Sequence, residues 1–152
     1  MSKFPPEDKK KLLEFIGREI ELFGKIRELT AEQKEFLAAD DMEGLNLSLD
    51  KRQQIIEKIN GLHQESDVLM QSYISFSNSR GGEKIAEIES GQARIRAVLE
   101  ECAELDGENA LMANKRVLDY GRQIDELSTR RKGIGKYALD VPNNPEHFDK
   151  MT

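Results

Sequence analysis

Few residues of this chain have the chemistry for catalysis, and nothing in their spacing brings them together. The two histidines, His63 and His147, fall in different settings. No Ser-His-Asp set can be argued from either, because a nucleophile, a base and an orienting acid must all converge. His63 lies in a helical pattern with no Glu-x-x-His and no second histidine at helical spacing, which favours a structural histidine over a metal ligand. The single cysteine, Cys102, has no partner for an internal disulfide or a zinc pair. It stands three residues from both Leu99 and Leu105, on an apolar stripe where a thiol packs as a small hydrophobe. Acid pairs such as Asp40-Asp41 and Glu100-Glu101 read as solvated helix faces. Ser77-Asn78-Ser79-Arg80-Gly81-Gly82 has turn chemistry but lacks the G-x-x-x-x-G-K-[ST] spacing of a phosphate loop. These readings predict a protein that is not an enzyme and takes no metal or cofactor.

What the chain does have is helix surface. Leu45, Leu49, Arg52, Ile56 and Ile59 form one ladder, and Ile55, Leu62, Leu69, Tyr73 and Phe76 form a second beside it. A helix turns every ~3.6 residues, so both ladders lie on one face and the charged residues turn to water. An earlier stripe runs through Leu13, Ile16, Ile20, Phe23, Ile26, Leu29, Phe36 and Leu37. A later one runs through Ile85, Ile88, Ile95, Leu99, Cys102, Leu105, Met112, Ile124, Leu127 and Ile134. The spacing predicts helices over about 6–38, 42–76 and 83–138.

Local signals place the ends. Pro5-Pro6-Glu7-Asp8 suits a first turn, where proline lacks no needed N–H and acids favour the positive end of the helix dipole. Asp40 followed by Glu43 resembles a capping box opening the second helix. Breaks this short force successive helices to lie antiparallel. The expected fold is all-α: an elongated antiparallel three-helix bundle or coiled coil over residues 1–139, with a flexible tail over 140–152. The third helix, at ~1.5 Å per residue, would span about 84 Å against roughly 50 Å for each of the others. It therefore either bends near Gly107 and packs back, or carries its last turns with no neighbour of their own.

The chain has 152 residues, 34% of them charged and 38% hydrophobic, and a net charge of -6. That balance disfavours generic nucleic-acid or anionic-membrane binding. The start lacks a hydrophobic signal core, and no apolar run nears the ~20 residues of a membrane span, so a soluble cytoplasmic protein is expected. The region from Asn109 to Leu139 departs from the rest, with seven basic residues against three acidic ones. It also contains Gly121, Gly133 and Gly135, which together cost a helix about 3 kcal/mol of propensity. Two readings stay open for it: a partner-binding helix that orders on contact, or a frayed bundle end with a basic face.

Gln33-Lys34-Glu35-Phe36-Leu37-Ala38-Ala39-Asp40-Asp41-Met42-Glu43-Gly44-Leu45, followed by the stretch from Leu49 to Ile59, resembles the FlgN family of flagellar export chaperones. There a helix ends in a turn of leucine, small residues and aspartate, and the next carries a leucine … lysine-x-glutamine-x-isoleucine stretch. Asn109, Leu111, Asn114 and Leu118 are similar to the asparagine-and-leucine-rich part of that family's third helix, and Gly133-Ile134-Gly135-Lys136-Tyr137 to its glycine-tyrosine ending.

The resemblance, over residues 10 to 139, implies a cytoplasmic chaperone with no cofactor. It would hold the C-terminal helical region of hook–filament junction proteins on its own C-terminal helix and deliver them to the export gate. On such a helix Leu118, Ile124, Leu127, Ile134 and Tyr137 would anchor the partner, with Tyr120 beside them and Arg130, Arg131 and Lys132 at the rim. The alternative is a structural coiled-coil scaffold or adaptor that self-associates through its apolar faces, for instance as a homodimer.

Overall fold

The computed structural model describes residues 3–135, with side chains from Lys3 to Arg130. Three helices make up the described chain, α1 (Pro6–Ala38), α2 (Met42–Asn78) and α3 (Ala86–Gly135), with no strand among the described residues. The fold is the all-α bundle that the apolar spacing predicts. The chain divides into two compact units, Met1–Asn109 and Ala110–Thr152. The tail expected over 140–152, and the third helix's expected end near 138, lie outside the described residues.

Helix α1 opens with Pro6 in its first turn, Glu7 and Asp8 behind it, and the Lys9 N–H donating to Pro5 O at 2.9 Å. Its C-terminal end closes by local hydrogen bonding. Asp40 takes a left-handed conformation, φ 58°, while Asp41 N–H donates to Phe36 O at 2.9 Å and Asp40 N–H to Leu37 O at 3.3 Å. That is the Schellman pattern, which satisfies carbonyls a helix end leaves open.

The expected capping box shifts by one residue as a result. Asp41, not Asp40, caps α2, its carboxylate accepting from the Gly44 N–H at 2.9 Å. Asp40 cannot cap α2, because its backbone is already committed to ending α1. Gly44 has no side chain to return the bond, and none would fit. A Cβ there would lie 2.6 Å from both Asp41 Oδ2 and the Phe36 ring.

Helix α2 runs through Asn78, and α3 begins at Ala86, slightly later than periodicity predicts. Phe76 O accepts from both the N–H and the hydroxyl of Ser79, at 3.2 and 2.7 Å. Tyr73 Oη then accepts from the Ile85 N–H at 3.0 Å, immediately before the first residue of α3. The Ile85 carbonyl in turn accepts the first helical bond, from the Glu89 N–H at 3.0 Å, so α3 starts from the residue that Tyr73 holds.

Residues 3–109 form an up-down-up bundle. Antiparallel α1 and α2 are joined by Ser48 Oγ donating to Leu29 O at 3.1 Å. Helix α3 runs parallel to α1, as three cross-helix pairs show: Lys9–Glu87, Arg27–Glu101 and Lys34–Glu108, each at 3.1 Å. All three are exposed, so each contributes at most about 1 kcal/mol and serves mainly to favour this register.

Packing supplies the stability. One apolar layer gathers Phe4, Leu12, Ile16, Tyr73 and Ile88, with the Phe4 ring edge-on to Tyr73 at 5.6 Å. A second gathers Phe23, Ile26, Ile59 and Cys102. Each fully buried aliphatic side chain of this kind is worth about 1.5–3 kcal/mol. Gly91 lets α3 approach α1 closely, since a Cβ there would come within 2.5 Å of Ile16 Cγ2. Helix α3 neither ends nor breaks at Gly107. Of the expectations for this region, the three-helix chain with one long third helix is the one found.

Candidate protein-binding helix

Toward the end of the first unit the layers turn from apolar to polar. Thr30, Gln33, Ser48 and Asn109 are all buried there. Asn109 Nδ2 donates to Thr30 O at 2.9 Å, and Thr30 Oγ1 donates back to Ile26 O at 2.7 Å. Arg52 grips Asp106 with two parallel bonds, at 2.7 and 2.8 Å. That carboxylate raises the guanidinium's pKa, outweighing the opposing effect of burial. Arg52 therefore interrupts the α2 ladder for a reason the ladder could not reveal: its partner lies on α3. His63 likewise has a structural setting, with Nε2 3.4 Å from Oε1 of the buried Glu19.

The second unit is different in kind. Between Ala110 and Arg130 no residue is buried. Five of its large apolar side chains face solvent: Leu111 is 72% exposed, Val117 68% and Leu118 64%, with Leu127 and Tyr120 also exposed. For comparison, every large apolar residue of the two core layers is at most 9% exposed. An apolar series of this size on one helix is what a partner-binding surface looks like, whereas scattered single exposures need no explanation.

Leu118, Tyr120 and Leu127 are exposed, Ile124 is half-buried and Arg130 is exposed, all on α3 within twelve residues of Asp119. Arg131 and Ile134 continue the same helical backbone, but their side chains lie outside those described. Lys132 stands in the same position, and Tyr137 lies outside the described residues altogether. Val117, outside the expected set, is more exposed than Leu118. The signal for it was the spacing Val117–Tyr120–Ile124–Leu127, which runs in threes and fours.

Nothing in this surface resembles a catalytic or metal centre. Among the described residues no three His, Cys, Asp or Glu side chains are grouped as metal ligands would be. Burial pushes the Cys102 thiol up, away from the thiolate form that reacts. The groove floored by Leu13, Ile16 and Gly91 between α1 and α3 is open to solvent. Among the described residues no helix is long and apolar enough to cross a membrane.

Comparison with known proteins agrees with this picture. A family model described as FlgN protein matches residues 1–138, and the chain belongs to that family. Membership carries a flagellar export chaperone role, and the family is one of chaperones and not of enzymes. No curated protein and no solved structure matches the chain.

Proposed function

We propose that this FlgN-family chain holds the C-terminal helical region of hook–filament junction proteins in the cytoplasm and delivers them to the export gate. The observation that supports it is the run of exposed apolar residues, Leu111, Val117, Leu118, Tyr120 and Leu127, on the basic stretch of α3 beyond Asn109. A subunit awaiting export presents an amphipathic helix that would otherwise aggregate. A second helix carrying apolar residues at i, i+3 and i+7 can cover it. Leu118, Tyr120, Ile124, Leu127, Ile134 and Tyr137 are assigned as anchors, with Arg130 and Arg131 at the rim. Helix-in-groove binding of this kind needs neither nucleotide nor metal.

The test is co-purification of the full chain with C-terminal fragments of junction proteins. Tyr120→Asp with Leu127→Asp should abolish capture while leaving helix content and unfolding midpoint unchanged, because neither side chain is in a core layer. Capture that persists in this double variant removes the site assignment. Sedimentation of the free chain addresses the scaffold alternative, which requires a dimer that the same two substitutions dissolve.

A further inference from the structure

In the second unit Val117, Tyr120, Ile124 and Leu127 follow at spacings of three, four and three, with Ala113 four residues before Val117. This is the a/d repeat of a coiled-coil seam. On that register one flank of the seam holds Arg116, Gln123 and Arg130, and the other holds only Asn, Gly and Ser. The acids of the segment, Asp119, Asp125 and Glu126, all fall at positions away from the seam. The seam is therefore edged by cations and neutral groups alone.

We infer that the occupant of this seam is a helix of another protein whose own flanking positions are acidic, and not a second copy of this chain. The inference rests on the partner-binding reading of the same helix and adds the chemistry of the partner. Antiparallel self-pairing centred on Gln123 would set Arg116 of one copy against Arg130 of the other. Parallel self-pairing would give neither arginine an acid. Flanking charges choose partners in coiled coils largely through such repulsion. A helix bearing Glu at its flanks meets attraction instead. Net charge points the same way, since residues 1–109 carry 23 acidic against 15 basic residues, while residues 110–139 carry three against seven. An acidic helix is thus repelled by the first segment and drawn to the second.

The test uses the full chain and two synthetic helical peptides with one shared Leu/Ile seam, flanked by Glu in one and by Lys in the other. Fluorescence anisotropy should show the Glu-flanked peptide binding about tenfold more tightly at low salt, the gap closing to about twofold near 0.5 M salt. Arg116→Glu with Arg130→Glu should reverse the order of the two peptides, with circular dichroism confirming unchanged helix content. Equal affinities, a preference for the Lys-flanked peptide, or binding of neither would overturn the inference. So would a dimer of the free chain that Leu127→Asp dissolves. Junction-protein capture that survives the double charge reversal would remove the charge assignment alone and leave the chaperone reading standing.

Discussion

Arg52 on α2 and Asp106 on α3 form a two-pronged ion pair, Nη1 to Oδ1 at 2.7 Å and Nη2 to Oδ2 at 2.8 Å. It lies at the polar end of the first unit, one helical turn before Asn109, and ties together two helices whose apolar residues there are few. The guanidinium is the more buried member, 21% exposed against 43% for the carboxylate. Removing its partner therefore leaves the greater cost on the arginine side. Asp106→Asn is expected to lower stability by about 1–2 kcal/mol after allowance for solvent screening. Arg52→Lys should cost nearly as much, since an ammonium cannot make both parallel bonds. Urea unfolding of the two single variants and the double variant measures the coupling. Strictly additive losses would show that the pair contributes no interaction of its own.

Gly44 makes a prediction that runs against helix propensity. Alanine is the better helix former by about 1 kcal/mol, so Gly44→Ala should stabilise if the position were open. Its Cβ would instead meet the capping carboxylate of Asp41 and the Phe36 ring, and the variant should lose about 1–3 kcal/mol. Asp41→Ala, which removes the cap, should cost about 1 kcal/mol by itself. Thermal unfolding of both distinguishes a crowded turn from a merely flexible one.

Two buried amides should respond in opposite directions. Gln33 is 4% exposed and its Nε2 has no hydrogen-bond partner, so Gln33→Met keeps the volume and removes an unsatisfied donor. Stability should stay level or rise by up to about 1 kcal/mol. Asn109→Ala removes the side-chain bond to Thr30 O that ties α3 to α1 and opens space, and should cost about 1–3 kcal/mol. Denaturant midpoints would decide the matter, and a marked loss for Gln33→Met would mean the amide contributes to the layer after all.

Alkaline pH should weaken the fold. Burial raises the Cys102 thiol above its ordinary 9.0 and the Tyr73 hydroxyl above its ordinary 10.0. Each group then keeps its proton in the folded chain at a pH where the unfolded chain has released it. Its contribution is complete below the ordinary value and is lost as pH rises through the folded one. Unfolding free energy should accordingly decline from about pH 9 upward, more gently in Cys102→Ala and Tyr73→Phe. A flat profile to pH 11 in the parent chain would contradict the assignment. Tyr73→Phe should also cost about 1 kcal/mol at neutral pH, because the Ile85 N–H loses its acceptor.

Much of the architecture was legible in the residues because its causes are local. Apolar spacing in threes and fours forecast three helices, and proline with acids forecast where α1 starts. The turn between α1 and α2 was legible in composition but not in detail. Asp40 and Asp41 are chemically identical, and only the left-handed backbone at Asp40 decides that Asp41 caps. Reading Cys102 as a packed small hydrophobe was correct for the same reason, since its stripe is set by helical period alone.

What only the tertiary structure decided concerns pairs distant in sequence. Arg52 looked like a flaw in an apolar ladder until α3 placed Asp106 opposite it. That Phe36 and Ile16 fill the space a side chain would take at Gly44 and Gly91 is visible only once the helices are packed. The continuation of α3 through Gly107 was likewise open, because one glycine costs a helix about as much as modest packing returns. Periodicity is a property of one helix and fixes which face is apolar. Which faces meet, and which apolar face is left in water, depends on contacts between helices that no single stretch of residues encodes.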